Sequence, residues 1–225
     1  MAQMHGTAGE WSRVKGTLLG LWPVFTSVFA AGFAAAMTFF GFFVLGALIL
    51  VVSLALFGFL VVKWVRFIER YFTGARGEER VASILSSLSN DCHVFNDFMV
   101  GRRQIDHVVV GPAGVFVVET KFWRGRVTIE DGQILVDGKR PSRSPLEQVL
   151  KETEIVKYAL AALGWSGDVT PLLVYASDTF ALRSAELSGA VIMNSCEIAG
   201  SFAANRVVMS PGEIGRLVSL MENNI

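Results

Sequence analysis

Apolar and polar positions divide the chain sharply. From Gly16 to Val62, 47 residues run without one Asp, Glu, Lys, Arg or His. One helix of that length would extend roughly 70 Å at about 1.5 Å per residue, whereas about 20 residues cross a bilayer core. The block therefore predicts two spans, 17–37 and 41–62, with Thr38-Phe39-Phe40-Gly41 near the turn. Beyond it the pattern changes period. Val81, Ala82, Ile84, Leu85 and Leu88 mark a helix that starts near Gly77, after Gly74 and Gly77 break the preceding one. Cys92–Val100, Arg103–Val110 and Gly114–Lys121 read as strands. A small hairpin, Val127–Glu130 with Gln133–Val136, turns at Asp131-Gly132. Ser144-Pro145 opens a helix that ends at Gly164. Pro171–Ala176 is a buried strand, Ala190–Met193 and Arg206–Met209 are weaker strands, and a last helix covers 212–221. Helix, strands, helix, strand: this order predicts an α/β domain with a mixed sheet flanked by helices, behind a transmembrane helical hairpin.

Charge refines the picture at the membrane block. Arg13 and Lys15 precede it, and Lys63, Arg66 and Arg70 follow it. Basic flanks favour the cytoplasmic side, which predicts a multi-pass protein of the cytoplasmic membrane with both termini and the domain in the cytoplasm. Trp11, Trp22, Trp64 and Tyr71 sit where amphipathic rings favour the interface. A rival reading takes the first span as a signal peptide cleaved at Ala34-Ala35-Ala36. Residues 77–225 carry 14 Lys+Arg against 18 Asp+Glu, so no overall basic field attracts nucleic acid. Cys92 and Cys196 form no metal-binding spacing with the three histidines and read as thiols of a reducing compartment.

The chemistry concentrates in RQIDHVVVGPAGVFVVETKF, residues 103–122. Ionised groups are costly in such apolar strands unless paired or bound to a cation. Glu119 and Lys121, two apart, share one face of a strand, and Asp106 lies on the adjoining strand where it can oppose them. Two carboxylates converging at a sheet edge make a hard-oxygen site suited to Mg2+ or Mn2+. Lys121 is then placed to orient a water or a phosphate. His107 points to the opposite face and reads as a core histidine.

These residues resemble a known pattern. An Asp, about a dozen residues, then Glu-x-Lys after an apolar strand is similar to the PD-(D/E)xK nuclease superfamily. More narrowly, GARGEERV at 74–81, QIDHVVVGPAGVFVVETK at 104–121 and SPLEQV at 144–149 resemble the nuclease-related domain (NERD) family. The superfamily's proline before the aspartate is replaced by Ile105. The resemblance implies a restriction-endonuclease-like fold and a divalent-metal-dependent nuclease. It further implies a helix glutamate near the site. Glu78 shares a face with Val81, Ala82 and Leu85, while Glu79 shares one with Ser83 and Ser86, so Glu78 is chosen. Gln148 matches the family's helix glutamine. The expected catalytic set is Asp106, Glu119, Lys121, Glu78 and Gln148, with Asp106, Glu119 and Glu78 holding Mg2+ or Mn2+. Arg102, Arg103, Arg124 and Arg126 would contact nucleic acid, DNA first; Lys139, Arg140 and Arg143 form a second basic cluster, and Trp123 is placed to stack on a base.

The division expected is 1–16 as a cytoplasmic segment, 17–62 as two spans, 63–73 as a linker, 74–176 as the nuclease-like domain and 177–225 as its extension. A different function class fits the same residues: a non-catalytic module at the membrane face that binds nucleic acid or a protein.

Overall fold

The structure is a computed structural model that describes residues 1–181, 183–204 and 206–224. It divides into two units, Met1–Glu10 with Gly74–Ile225, and Trp11–Thr73.

The second unit contains the charge-free block. Helix α1 spans Glu10–Phe39 and helix α2 spans Phe43–Leu85; both are long and apolar enough to cross a membrane. Phe25, Phe29, Phe43 and Val44 are exposed, as expected of side chains that face lipid rather than a protein core. Gly41, at φ +88°, makes the turn between the helices, and a Cβ on Gly46 would lie 2.8 Å from the Ala34 carbonyl and 2.5 Å from Thr38 Oγ1. Small residues at such a crossing let two membrane helices approach closely.

The expected break at Gly74 and Gly77 does not occur. α2 is unbroken to Leu85, and residues 63–73, expected either to continue the second span or to form a short linker, are helical. Gly77 serves close packing instead. A Cβ there would lie 2.8 Å from Phe122 Cβ, so glycine lets helix and strand end meet.

The first unit is a seven-stranded mixed sheet in the order β1-β2-β3-β4-β7-β9-β8. Its strands are β1 (Gln3–His5), β2 (His93–Val100), β3 (Arg103–Gly111), β4 (Gly114–Lys121), β7 (Val169–Tyr175), β8 (Ser184–Leu187) and β9 (Ala190–Asn194). The predicted small hairpin forms β5 (Val127–Glu130) and β6 (Gln133–Val136), with Asp131 and Gly132 both at positive φ. Strands β2, β3 and β4 are antiparallel; β4, β7 and β9 are parallel and covered on both faces, which explains their continuous apolar runs. Helix α3 (Pro145–Ala162) covers one face, where Val149, Val156 and Leu160 meet Val115, Val117 and Leu173. Helix α5 (Pro211–Asn224) adds Ile214, Leu217 and Met221 to that core. The end of α2 and helix α4 (Ile198–Ala204) cover the other face, where Val81, Leu85 and Ile198 meet Val109, Phe116 and Val118.

Three elements depart from the sequence reading. Residues 1–16 are not a segment of their own: Met1–Glu10 belong to the domain, with β1 pairing parallel to β2 at the sheet edge. Arg206–Met209 is not a strand, since the Val208 and Met209 N–H groups both donate to the Pro112 carbonyl (2.7 and 3.1 Å). Strand β8, polar at alternate positions, pairs with β9 where no strand was expected.

Candidate functional site

The site forms where β3 and β4 part. Their ladder runs from Gly111–Gly114 to His107–Val118 and stops there. One residue further, Asp106 Oδ2 accepts the Thr120 N–H at 2.8 Å. The carboxylate is thereby fixed beside the end of β4. Alternation along β4 sends Val115 and Val117 into the core under α3, so Glu119 and Lys121 follow them to that face. The parallel neighbour β7 places Leu173 beside Glu119 and Tyr175 beside Lys121, which closes the apolar wall.

α3 brings the remaining groups. Its first turn is capped by Ser144 Oγ, which accepts the Glu147 N–H at 3.2 Å, with Pro145 in the first turn as predicted. One helical turn on, Gln148 faces the strand ends. Lys121 Nζ donates to Glu119 Oε1 and to Gln148 Oε1 (2.9 Å for the latter). Gln148 Nε2 donates to Glu152 Oε1 at 3.0 Å. Glu152 lies close enough to Glu119 for its carboxyl to help hold a proton on that side chain. Glu119, Lys121, Gln148 and Glu152 are thus linked in turn and stand in a ring, with Asp106 beside it.

Glu152 was missed by the sequence reading, although the signal was present. It lies four residues after Gln148 and falls in the stripe of α3 that buries Pro145, Val149, Val156 and Leu160. A carboxylate in a core stripe calls for a partner. Glu119 and Glu152 are 2% and 3% exposed, and among the described residues neither Oε2 atom meets a protein N–H or O–H.

Burial dominates the electrostatics. It pushes the Glu119 carboxyl up to about 8, with Glu152 adding to the rise and Lys121 opposing it. Burial also raises Asp106 well above the ordinary range, Glu119 adds to this, and Lys121 and the Thr120 N–H oppose it. Glu152 rises for the same first reason. Burial alone would lower Lys121, but Glu119 and Asp106 outweigh it and hold the ammonium charged above its usual range. Lys121 is thus a cation at neutral pH, suited to holding an anion or a water rather than to abstracting a proton.

Three carboxyl groups surround one ammonium here, so full ionisation would leave two negative charges. A divalent cation matches that deficit. The donors are hard oxygens, and the two buried Oε2 atoms lack protein donors, so the residues fit Mg2+ or Mn2+. Among the described residues no three His, Cys, Asp or Glu side chains could together hold a metal ion. Mg2+ commonly takes one or two carboxylates and keeps its remaining waters.

The other expected residues fall as follows. Glu78 is buried on α2, on the opposite face of the sheet from α3, next to Gly77 and its contact with Phe122; Glu79 is half-buried. Arg102 and Arg103 are exposed at the turn between β2 and β3, beyond the point where β3 and β4 part. Arg124 and Arg126 are exposed just past β4, and the Arg126 N–H donates to Asp137 Oδ1 at 2.8 Å. Trp123 packs on Tyr175 at 5.7 Å between ring centres. His107 is fully buried on the face away from Glu119; its Nδ1 hydrogen-bonds Asn96 Oδ1 (2.9 Å), and burial lowers it to about 3, so it stays neutral.

Comparison with curated proteins and with solved structures found no match for the chain. Residues 73–176, which contain every member of the ring, match the family model of the nuclease-related domain (NERD).

Proposed function

We propose that the protein is a membrane-anchored, divalent-metal-dependent phosphodiesterase that cleaves nucleic acid, DNA first, at the cytoplasmic face of the membrane. The observation that carries this reading is the buried ring at the end of β4, whose three carboxyl groups outnumber its one ammonium. Asp106 and Glu119 would hold Mg2+ or Mn2+, without the expected Glu78, which lies on the other face of the sheet. When bound, such an ion neutralises charge that builds on a scissile phosphate. The chain's own groups supply the rest. Gln148 and Glu119 fix the Lys121 ammonium, which steers the attacking water and a phosphate oxygen. Glu152 fixes the Gln148 amide with its oxygen toward Lys121. Arg102, Arg103, Arg124 and Arg126, exposed around the same sheet end, would contact phosphates on either side.

Connectivity supports the anchoring. Met1–Glu10 and Gly74–Ile225 belong to one folded unit, so an apolar segment that leaves this unit must return to it, which calls for an even number of crossings. The basic flanks favour the cytoplasm for both ends. Pairing of β1 with β2 also disfavours removal of the first span as a signal peptide, because cleavage would take an edge strand from the sheet.

The test is cleavage of plasmid and oligonucleotide by the full chain in detergent, with Mg2+ or Mn2+ and with EDTA, beside Asp106→Ala and Lys121→Ala. Metal-dependent cleavage by the unaltered protein that both variants lose is expected. Equal activity in all three, or none in the unaltered protein, would leave a binding module in place of an enzyme.

A further inference from the structure

Two of the chain's three histidines come together far from the acidic ring. His5, on edge strand β1, and His93, at the start of β2, are brought side by side by the parallel pairing of the two strands. His5 Nε2 lies 3.2 Å from His93 Nδ1, and the other nitrogen of His5, Nδ1, lies 3.0 Å from Glu222 Oε1 on α5. Three segments remote in sequence thus converge on one imidazole pair. Phe95 stacks on the His5 ring at 4.3 Å and fixes its plane, while Asn96 Nδ2 donates to the His5 and Gly6 carbonyls (3.3 Å each) and fixes the backbone.

We propose that His5 and His93 form a second, imidazole-based site for a transition metal such as Zn2+, oriented by Glu222. The spacing is that of two ligands on one ion: nitrogens each about 2.05 Å from a tetrahedral zinc lie about 3.3 Å apart. The tautomers agree. Glu222 accepts the Nδ1–H of His5 and leaves Nε2 as a lone pair, the arrangement usual for a metal-binding histidine. His93 coordinates through Nδ1 with its proton moved to Nε2. Burial first, then the His5 ring, lowers the proton affinity of His93, which keeps it available as a ligand. An open hollow of about 330 Å³, lined by His5, Asn96, Met99, Met221 and Glu222, lies on the His5 side of the pair. Two imidazoles and water complete the coordination. The acidic ring offers only oxygen and ammonium, so the two sites prefer different metals. Once bound, the ion staples β1 to β2, and with them the strand that leads into α1.

The experiment is a Zn2+ titration of the tag-free full chain in detergent, followed by 15N resonances of labelled histidine side chains. His5 and His93 are expected to shift together, while His107, buried and bonded to Asn96, stays. Affinity is expected to fall by about tenfold in Glu222→Gln and by more in His93→Ala. Absence of any imidazole shift at excess Zn2+, or an unchanged affinity in His93→Ala, overturns the proposal. The spectrum of the unaltered protein decides the matter even where a variant fails to fold.

Discussion

Removing divalent ions should make stability fall as pH rises from about 5 to 8. The reason lies in Glu119, whose carboxyl is moved from an ordinary 4.5 to about 8 by burial, with Glu152 adding to the rise. The folded protein then holds a proton that the unfolded chain has already released across that window. A raised folded value means stability that is complete below the unfolded value and is lost as pH climbs through the folded one. Each pH unit inside the window costs about 1.4 kcal/mol, and the whole window about 5 kcal/mol at most. Domains are stable by only about 5–15 kcal/mol, so the loss should be plain. Asp106 and Glu152 shift in the same direction and deepen it. The assay is thermal melting of the full chain in detergent with EDTA, followed by tryptophan fluorescence at several pH values. Glu119→Gln should flatten the slope. At pH 8, Mn2+ at a hundred times its dissociation constant should return about 2.7 kcal/mol. Melting in EDTA that is flat or rises between pH 5 and 8 would refute the reasoning.

Other expectations follow from single contacts. Glu152→Leu removes one of three acids and the acceptor that orients Gln148; the ion-free protein should melt higher at pH 8, while calorimetry shows weaker Mn2+ binding. Gly77→Ala puts a methyl 2.8 Å from Phe122 Cβ and should cost about 1–3 kcal/mol of overpacking, read as a lower melting temperature. Gly46→Leu drives a side chain into Ala34 and Thr38 and should part α1 from α2, which a cysteine pair placed across the two helices would report as lost cross-linking.

Much of this arrangement is legible in the residues themselves. A 47-residue stretch without charge is long enough for two helices that could cross a membrane, and period-two alternation carries Glu119 and Lys121 to one face of β4 with no knowledge of the rest. Hidden features depend on partners remote in sequence. β1 is three residues long and has no pattern of its own; it exists because β2 offers an edge and Asn96 holds the carbonyls of His5 and Gly6. The continuity of α2 through Gly74 and Gly77 is likewise tertiary, since helix propensity counts a glycine as a cost and cannot register the close approach of Phe122. Glu152 was overlooked for a different reason. Its stripe on α3 is readable, but only the meeting of that stripe with β4 turns a buried acid into a member of the site.

The account turns on whether the acids around Lys121 seat a divalent ion, and anomalous diffraction from crystals of the full chain soaked in Mn2+ tests this most directly. It predicts one peak in contact with the carboxyl oxygens of Asp106 and Glu119, with the Lys121 ammonium moved off Glu119 Oε1. A map with no peak there at saturating Mn2+, and Lys121 still bonded to Glu119, would contradict it.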